Sequence, residues 1–95
     1  MIDQEENKEM PEDRTGYILE AGEYFLQFFK PASCDANATN QLTTQEIYRA
    51  IKRLNPDTKV IDADIYQMMV DNGFIYKPDS NLFSFEYKWL LIRIA

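Results

Sequence analysis

Residues 42–54 read LTTQEIYRAIKRL and contain the clearest helix start signal in the chain. Thr43 is placed as the N-cap and Glu46 as the third helical residue of a capping box, in which each side chain accepts a hydrogen bond from the other residue's backbone N–H. Leu42 and Ile47 stand where a hydrophobic staple packs across such a start. The inward face is predicted to consist of the apolar side chains at helical spacing, Ile47, Tyr48, Ala50, Ile51 and Leu54. The pattern therefore predicts an amphipathic helix that stops at the Asn-Pro-Asp run of 55–57.

The segment before it, residues 15–30, predicts a first helix that ends at Pro31, because proline disfavours the helical conformation of the residue before it. Its polar stripe is narrow, so most of the helix surface must be covered, either by the core of the domain or by a partner. The candidate partner-binding residues here are aromatic, namely Tyr17, Tyr24 and Phe28. A dimer formed through this helix is one way to cover them.

Residues 62–72 predict a third helix, capped by Asp62 and followed by Gly73 at the position where helices often turn into the left-handed conformation. Its inward side chains are predicted to be Ile65, Tyr66, Met68 and Met69. Its outward side chains are predicted to be Asp64, Gln67 and Asp71.

After Gly73 the hydrophobic period changes to two, which is typical of strands. Residues 74–76 form a short apolar run, 77–81 a turn cluster, and 83–91 an alternating segment. The alternating side chains predicted on the inward face are Phe83, Phe85, Tyr87, Trp89 and Leu91. We therefore expect a β-hairpin, with both faces of its second strand covered from Leu90 onward. Tyr87 is a further candidate partner-binding residue, because exposed aromatic side chains dominate the energetics of many interfaces.

The expected fold class is thus α+β, with three helices followed by a C-terminal two-stranded β-hairpin. This order resembles the winged-helix (winged helix-turn-helix) superfamily over roughly residues 17–95, through the segments LTTQEIYRAIKRL, DADIYQMMVDNGF and NLFSFEYKWLL. The resemblance implies that the second and third helices form the helix-turn-helix and that the hairpin is the wing. We expect one winged-helix-like domain over residues 15–95 and a disordered acidic tail over 1–14.

Composition excludes several classes of function. The 95 residues carry a formal net charge of −6, no histidine and one cysteine. Disulfide frameworks, Cys/His zinc sites and imidazole catalysis are therefore excluded, and no set of residues supports an enzyme, a cofactor or a small-molecule substrate. No apolar run is long enough to cross a membrane, which favours a cytoplasmic protein without a membrane partner.

The resemblance to winged-helix domains implies DNA binding, with the third helix in the major groove. That helix presents acidic residues, whereas duplex binding depends on Lys and Arg that displace counterions from phosphates. Nucleic-acid binding is therefore disfavoured. An alternative mode would use the cations of the second helix and the wing, Arg49, Lys52, Arg53, Lys77 and Lys88.

A second alternative is weak calcium binding by residues 35–46, DANATNQLTTQE, which resemble the ligand spacing of an EF-hand loop. The ligands would be Asp35, Asn37, Thr39, Gln41 and Glu46. The departure from the motif is Asn40, which stands in place of the glycine at the sharp turn. Two further features oppose calcium binding, namely the presence of only two carboxylates and the interruption of the preceding helix by Pro31 and residues 30–34. The capping box explains Thr43 and Glu46 equally well.

The hypothesis favoured by these observations is a non-enzymatic protein-interaction module, bound to a partner protein or to a second copy of itself. The neutral body of residues 24–95, the aromatic ribbon and the acidic N-terminal end suit a polypeptide better than a polyanion.

Overall fold

The structure is a computed structural model that describes residues 13–79 and 83–95. Its order of elements is α1 Thr15–Phe25, β1 Phe29–Pro31, a 3₁₀ turn Asp35–Asn37, β2 Asn40–Leu42, α2 Thr44–Leu54, α3 Asp62–Asp71, β3 Ile75–Pro78 and β4 Tyr87–Arg93. The α+β class, the three α-helices and the C-terminal hairpin of β3 and β4 are confirmed. The strands β1 and β2 were missed, and they make the sheet four-stranded rather than two-stranded.

Helix α1 is shorter than predicted, because it ends at Phe25 with Leu26 as its C-cap. The chain then turns, and Phe29–Pro31 pairs with β4 instead of continuing the helix. The Phe29 ring stacks on Phe25 with 5.0 Å between ring centroids. Pairing with a distant strand thus outweighs the local helical pattern of residues 26–30.

Helix α2 begins as predicted. The Thr43 hydroxyl accepts a hydrogen bond from the Glu46 N–H at 3.1 Å, and the Glu46 carboxylate accepts one from the Thr43 N–H at 2.8 Å. Ile47 and Ile51 are buried, whereas Ala50 and Leu54, which were predicted to face inward, are exposed. The contact with the core is therefore narrower than the apolar pattern suggested.

Helix α3 differs from the prediction at its start and agrees with it at its end. Ile61, not Asp62, is the N-cap, and the Asp64 carboxylate accepts a hydrogen bond from the Ile61 N–H at 2.9 Å. At the other end Gly73 has a φ of 80°, and the Phe74 N–H donates to the Met69 carbonyl. This is the reverse turn that glycine favours after a helix.

The sheet is organised around β4. Strand β3 pairs antiparallel with the first half of β4, and β1 pairs with its second half. Strand β2 lies on the other side of β4, with Asn40 opposite Leu91 and Leu42 opposite Trp89. Trp89, Leu90 and Leu91 are buried, so both faces of β4 are covered at its centre, as predicted.

The predicted inward face of residues 83–87 is wrong. Strand β4 begins only at Tyr87, and Phe85 is 96% exposed and Phe83 89% exposed. The alternation of apolar residues therefore extends beyond the paired part of the hairpin. The core lies between α1, α2, α3 and one face of the sheet.

The predicted acidic tail falls mostly on residues 1–12, which lie outside the described residues. Its last two positions, Asp13 and Arg14, immediately precede α1, and Arg14 is the N-cap. The Asp13 carboxylate accepts hydrogen bonds from the Thr15 N–H and hydroxyl, and Arg14 pairs with Asp64 at 2.7 Å. Across the described ranges, no helix has the length and apolar character that a membrane span requires.

Candidate protein-interaction surface

Three tyrosines from α3 and the hairpin surround the buried Trp89, and we call Tyr66, Tyr76 and Tyr87 the tyrosine cluster. Tyr76 stacks on Trp89 with 4.3 Å between ring centroids. Tyr66 meets Trp89 edge to face at 5.5 Å, and Tyr87 lies 5.3 Å from Tyr76. These distances are typical of aromatic pairs that fix one another's orientation.

Strand register and one hydrogen bond hold this arrangement in place. Tyr76 of β3 is directly opposite Trp89 of β4. The Trp89 Nε1–H donates to the Thr44 hydroxyl at 2.9 Å, which links the sheet to the first turn of α2. The rings thus lie on three rigid elements rather than on a loop.

The cluster is half open to solvent. Tyr66, Tyr76 and Tyr87 are 46%, 38% and 49% exposed, whereas Trp89 is 1% exposed. A depression of about 400 Å³ runs from Tyr76 and Tyr87 to the start of α2, where Glu46 and Arg49 line it. The surface therefore combines exposed aromatic area, which is enriched at protein interfaces, with a polar margin that carries charges of both signs.

Of the four partner-binding residues predicted from the sequence, Tyr87 alone lies in this cluster. Tyr17 and Tyr24 are half-buried against the core. The Arg14 guanidinium lies 4.1 Å from the centre of the Tyr17 ring. The Tyr24 hydroxyl accepts a hydrogen bond from the Asn55 side chain at 3.0 Å. Phe28 is also half-buried. The aromatic side chains of this segment are thus partly buried within the domain's own fold.

Tyr66 and Tyr76 were missed by sequence reasoning. Helical spacing assigned Tyr66 to the inward face of α3, and Tyr76 was placed only in a short strand. The signal that was present is the recurrence of tyrosine rather than phenylalanine at 66, 76 and 87, because a hydroxyl at the ring's end favours a position that reaches water.

The exposed side of α3 is less acidic than predicted. Asp64, expected to face outward, is 2% exposed and is held by the Arg14 guanidinium. Burial opposes its ionisation, but the hydrogen bonds from Arg14 and Ile61 and the charge of Arg14 together lower the pKa of the Asp64 carboxyl. Asp62, Gln67 and Asp71 remain exposed, and α3 contains no Lys or Arg.

Three of the five cations proposed for nucleic-acid binding are held by other groups of the protein. Lys77 pairs with Asp35 at 3.0 Å, and Lys88 pairs with Asp79 at 3.1 Å, which raises the pKa of Lys88. Lys52 donates to the Thr58 carbonyl at 3.3 Å. Arg49 and Arg53 are exposed on α2.

The segment proposed to bind calcium folds as a 3₁₀ turn followed by strand β2, not as a ring-shaped loop. Asp35 pairs with Lys77, and the Glu46 carboxylate is held by the Thr43 N–H. The Asn37 amide contacts Ser33 and Cys34, Gln41 lies within β2, and the Thr39 hydroxyl accepts a hydrogen bond from the Arg93 N–H. Within 13–79 and 83–95, no group of three or more His, Cys, Asp or Glu side chains is placed to hold a metal ion.

Cys34 is a free cysteine and is exposed. Hydrogen bonds from the backbone N–H groups of Asn37 and Ala36 lower the pKa of its thiol.

Comparison with protein-family models, with curated proteins and with solved structures gives no significant match. Function is therefore inferred from the chain's own residues.

Proposed function

We propose that this protein is a non-enzymatic protein-interaction module of winged-helix type, with the tyrosine cluster and the neighbouring Phe85 as its contact surface. The observation that carries the proposal is the half-exposed set of Tyr66, Tyr76 and Tyr87 on a buried tryptophan. The order of α2, α3 and the hairpin supports the winged-helix part, since these elements correspond to the helix-turn-helix and the wing.

Tyrosine suits this role because each ring offers a large contact area and a hydroxyl while losing few rotamers on binding. Residues of this kind, in preorganised positions, carry most of the energy of known interfaces. The same ring pairs also stabilise the hairpin by about 0.2–1 kcal/mol each. A test must therefore separate contact with a partner from support of the fold.

A polypeptide partner is favoured over a nucleic acid by the charges around the cluster. Glu46 and Glu86 lie beside Tyr76 and Tyr87, together with Arg49. Helix α3 presents Asp62 and Asp71 on its exposed side and supplies no cation. Phosphate contacts, which supply most of the affinity for DNA, would be repelled along this helix.

The test is site-specific photocrosslinking with benzoylphenylalanine at Tyr87 or Tyr66, in cells that naturally make the protein. The new side chain keeps the first aromatic ring and adds a benzoyl group where the exposed tyrosine has its hydroxyl, and circular dichroism checks that the fold is kept. Leu54 is the matched control, because it is 54% exposed and lies at the end of α2, away from the cluster. We expect the cluster positions, but not Leu54, to give a discrete protein adduct.

Equal adducts from Leu54, or adducts that nuclease removes, would contradict the proposal. In parallel, duplex DNA is titrated at about 50 and about 200 mM salt. Tight binding that weakens steeply with salt would favour the nucleic-acid alternative, which the Arg49→Ala and Arg53→Ala variants would then test.

A further inference from the structure

A second concave surface, distinct from the tyrosine cluster, lies between α1 and the end of α3. This groove has a volume of about 560 Å³. Its lining comprises Ile18, Leu19, Gly22, Leu26 and the polar residues Glu23, Gln27, Asp71 and Asn72. None of these residues belongs to the tyrosine cluster, so the two surfaces can be tested independently.

The base of the groove is apolar and includes Gly22, which has no side chain. A β-carbon at this position would lie 3.5 Å from the Met68 side chain and 3.7 Å from Leu26, which are ordinary contact distances. The fold therefore has room for a methyl group at Gly22, which is buried and lines the groove between these two side chains. Leu19 stands at the edge and is 65% exposed.

The rim of the groove is electrostatically negative. Among its lining residues, all within the described part of the chain, Glu23 and Asp71 are charged, and no Lys or Arg is present. Both α1 and α3 end here, and the carbonyl end of a helix carries a partial negative charge. Neither helix has a basic residue in its last turn, whereas α2 has Lys52 and Arg53 there.

Neutral amides, rather than cations, cap these helix ends. The Gln27 side chain donates to the Glu23 carbonyl at 2.7 Å, and the Asn72 side chain donates to the Met68 carbonyl at 2.8 Å. They satisfy individual carbonyl groups but do not neutralise the charges of Glu23 and Asp71. A ligand with positive charges of its own would neutralise these two carboxylates at the rim.

We propose that the groove between α1 and α3 binds an amphipathic helix of another protein, with its apolar side on Gly22 and Leu19 and its Lys or Arg residues against Glu23 and Asp71. A second copy of this chain fits less well, because two such rims would place like charges together. The chain's own residues 1–12 also fit poorly, since they carry five acids and one lysine.

The probe is a synthetic peptide of leucine and lysine, with the leucines at helical spacing, and its counterpart in which glutamate replaces lysine. Binding to the full chain is measured by fluorescence anisotropy. We expect the lysine peptide to bind and the glutamate peptide to bind at least about tenfold more weakly, a factor equivalent to 1.4 kcal/mol.

Two pairs of variants distinguish the groove from general attraction between an acidic protein and a basic peptide. Leu19→Asn and Asp71→Lys should each weaken binding of the lysine peptide by about tenfold. The controls Leu54→Asn and Asp57→Lys make the same chemical changes at exposed positions outside the groove, and they should leave the affinity within about twofold. Equal effects of test and control variants would overturn the proposal.

Gly22→Ala gives a further readout, because its effects on stability and binding are expected to have opposite signs. The added methyl group favours the helix and fits the fold, and we expect it to reduce the space at the part of the groove that Gly22 lines. A variant that is more stable yet binds the lysine peptide more weakly supports the proposal. Unchanged peptide affinity in Gly22→Ala would mean that the peptide does not bind in the groove. A dimer in sedimentation that Leu19→Asn abolishes would mean that the groove binds a second copy of the chain instead. A negative result in the peptide-binding test would not affect the proposal for the tyrosine cluster, because the photocrosslinking test uses residues outside the groove.

Discussion

Asp64 shows how one buried carboxylate joins the start of the described chain to its third helix. Its two oxygens accept hydrogen bonds from the Arg14 Nε and Nη2 at 3.2 and 2.7 Å, and one also accepts from the Ile61 N–H. Arg14 additionally donates to the Lys59 carbonyl at 3.0 Å. An ion removed from water needs such partners, because its lost hydration costs several kcal/mol.

The Asp64→Asn variant tests this pair and its pH dependence. At neutral pH we expect a loss of about 2 kcal/mol of unfolding free energy, less than for a fully buried pair because Arg14 is partly exposed. Since folding lowers the pKa of Asp64, its contribution is complete above the ordinary pKa of about 4 and disappears as the pH falls through the lower folded value.

Urea unfolding of both proteins at several pH values measures this effect. The difference in unfolding free energy between wild type and Asp64→Asn should shrink below about pH 4. A difference that stays constant into acid would mean that the carboxylate's charge is not what stabilises the fold.

Cys34 gives a second prediction for a single side chain. Because backbone N–H groups of the 3₁₀ turn lower its thiol pKa, the ultraviolet absorbance of the thiolate should rise at lower pH in the folded protein than in urea. In the unfolded chain the midpoint should approach about 8.5. Cys34→Ser provides the baseline, and identical midpoints in the two states would contradict the assignment.

The helices differ in how far local sequence determines their ends. The start of α2 is marked by Thr43 and Glu46, which bond to each other across three residues. The turn after α3 depends on Gly73, whose positive φ favours glycine. Both features are local, and both were predicted correctly.

Thr43→Ala should therefore lower the unfolding free energy by about 1 kcal/mol, because the Glu46 N–H loses its acceptor at the helix start. Thr43→Ser keeps the acceptor and is the matched control, with an expected change of a few tenths of a kcal/mol at most. Thermal and urea unfolding measure both variants. Equal losses in Ala and Ser would assign the effect to the lost methyl group rather than to the cap.

The elements that sequence reasoning missed are those that depend on distant partners. Strands β1 and β2 have three residues each, too few for a recognisable period. They form by pairing with β4, which follows β1 by about sixty residues and β2 by about fifty. Asp64 was assigned outward because helical spacing cannot reveal an arginine fifty positions away. The same limit applies to the candidate site. Tyr87 was a candidate because of its aromatic type, although strand alternation placed it inward, whereas Tyr66 and Tyr76 required knowledge of how α3 packs on the hairpin.

At the scale of the whole molecule, β4 connects parts of the chain that do not otherwise pair. Leu91 is opposite Pro31 on one side and Asn40 on the other, and its carbonyl accepts a hydrogen bond from the Thr39 N–H at 2.8 Å. Two residues earlier, Trp89 connects β3, α2 and α3 through its stacking and its indole N–H. Loss of β4 packing should therefore affect helices and sheet together.

Leu91→Ala tests this view of β4 as the common support. The side chain is fully buried, so its removal should cost about 3 kcal/mol through lost apolar contact and the cavity left behind. Trp89 emission follows the sheet and far-ultraviolet circular dichroism follows the helices. In urea, both signals should change at one midpoint in wild type and at one lower midpoint in Leu91→Ala, as expected for a cooperative domain.

The control is Ile94→Ala, because Ile94 is exposed, and this variant should change the midpoint little. A helical signal that outlasts the tryptophan transition in Leu91→Ala would mean that the three helices hold together without the sheet, and β4 would then support the tyrosine cluster but not the fold as a whole.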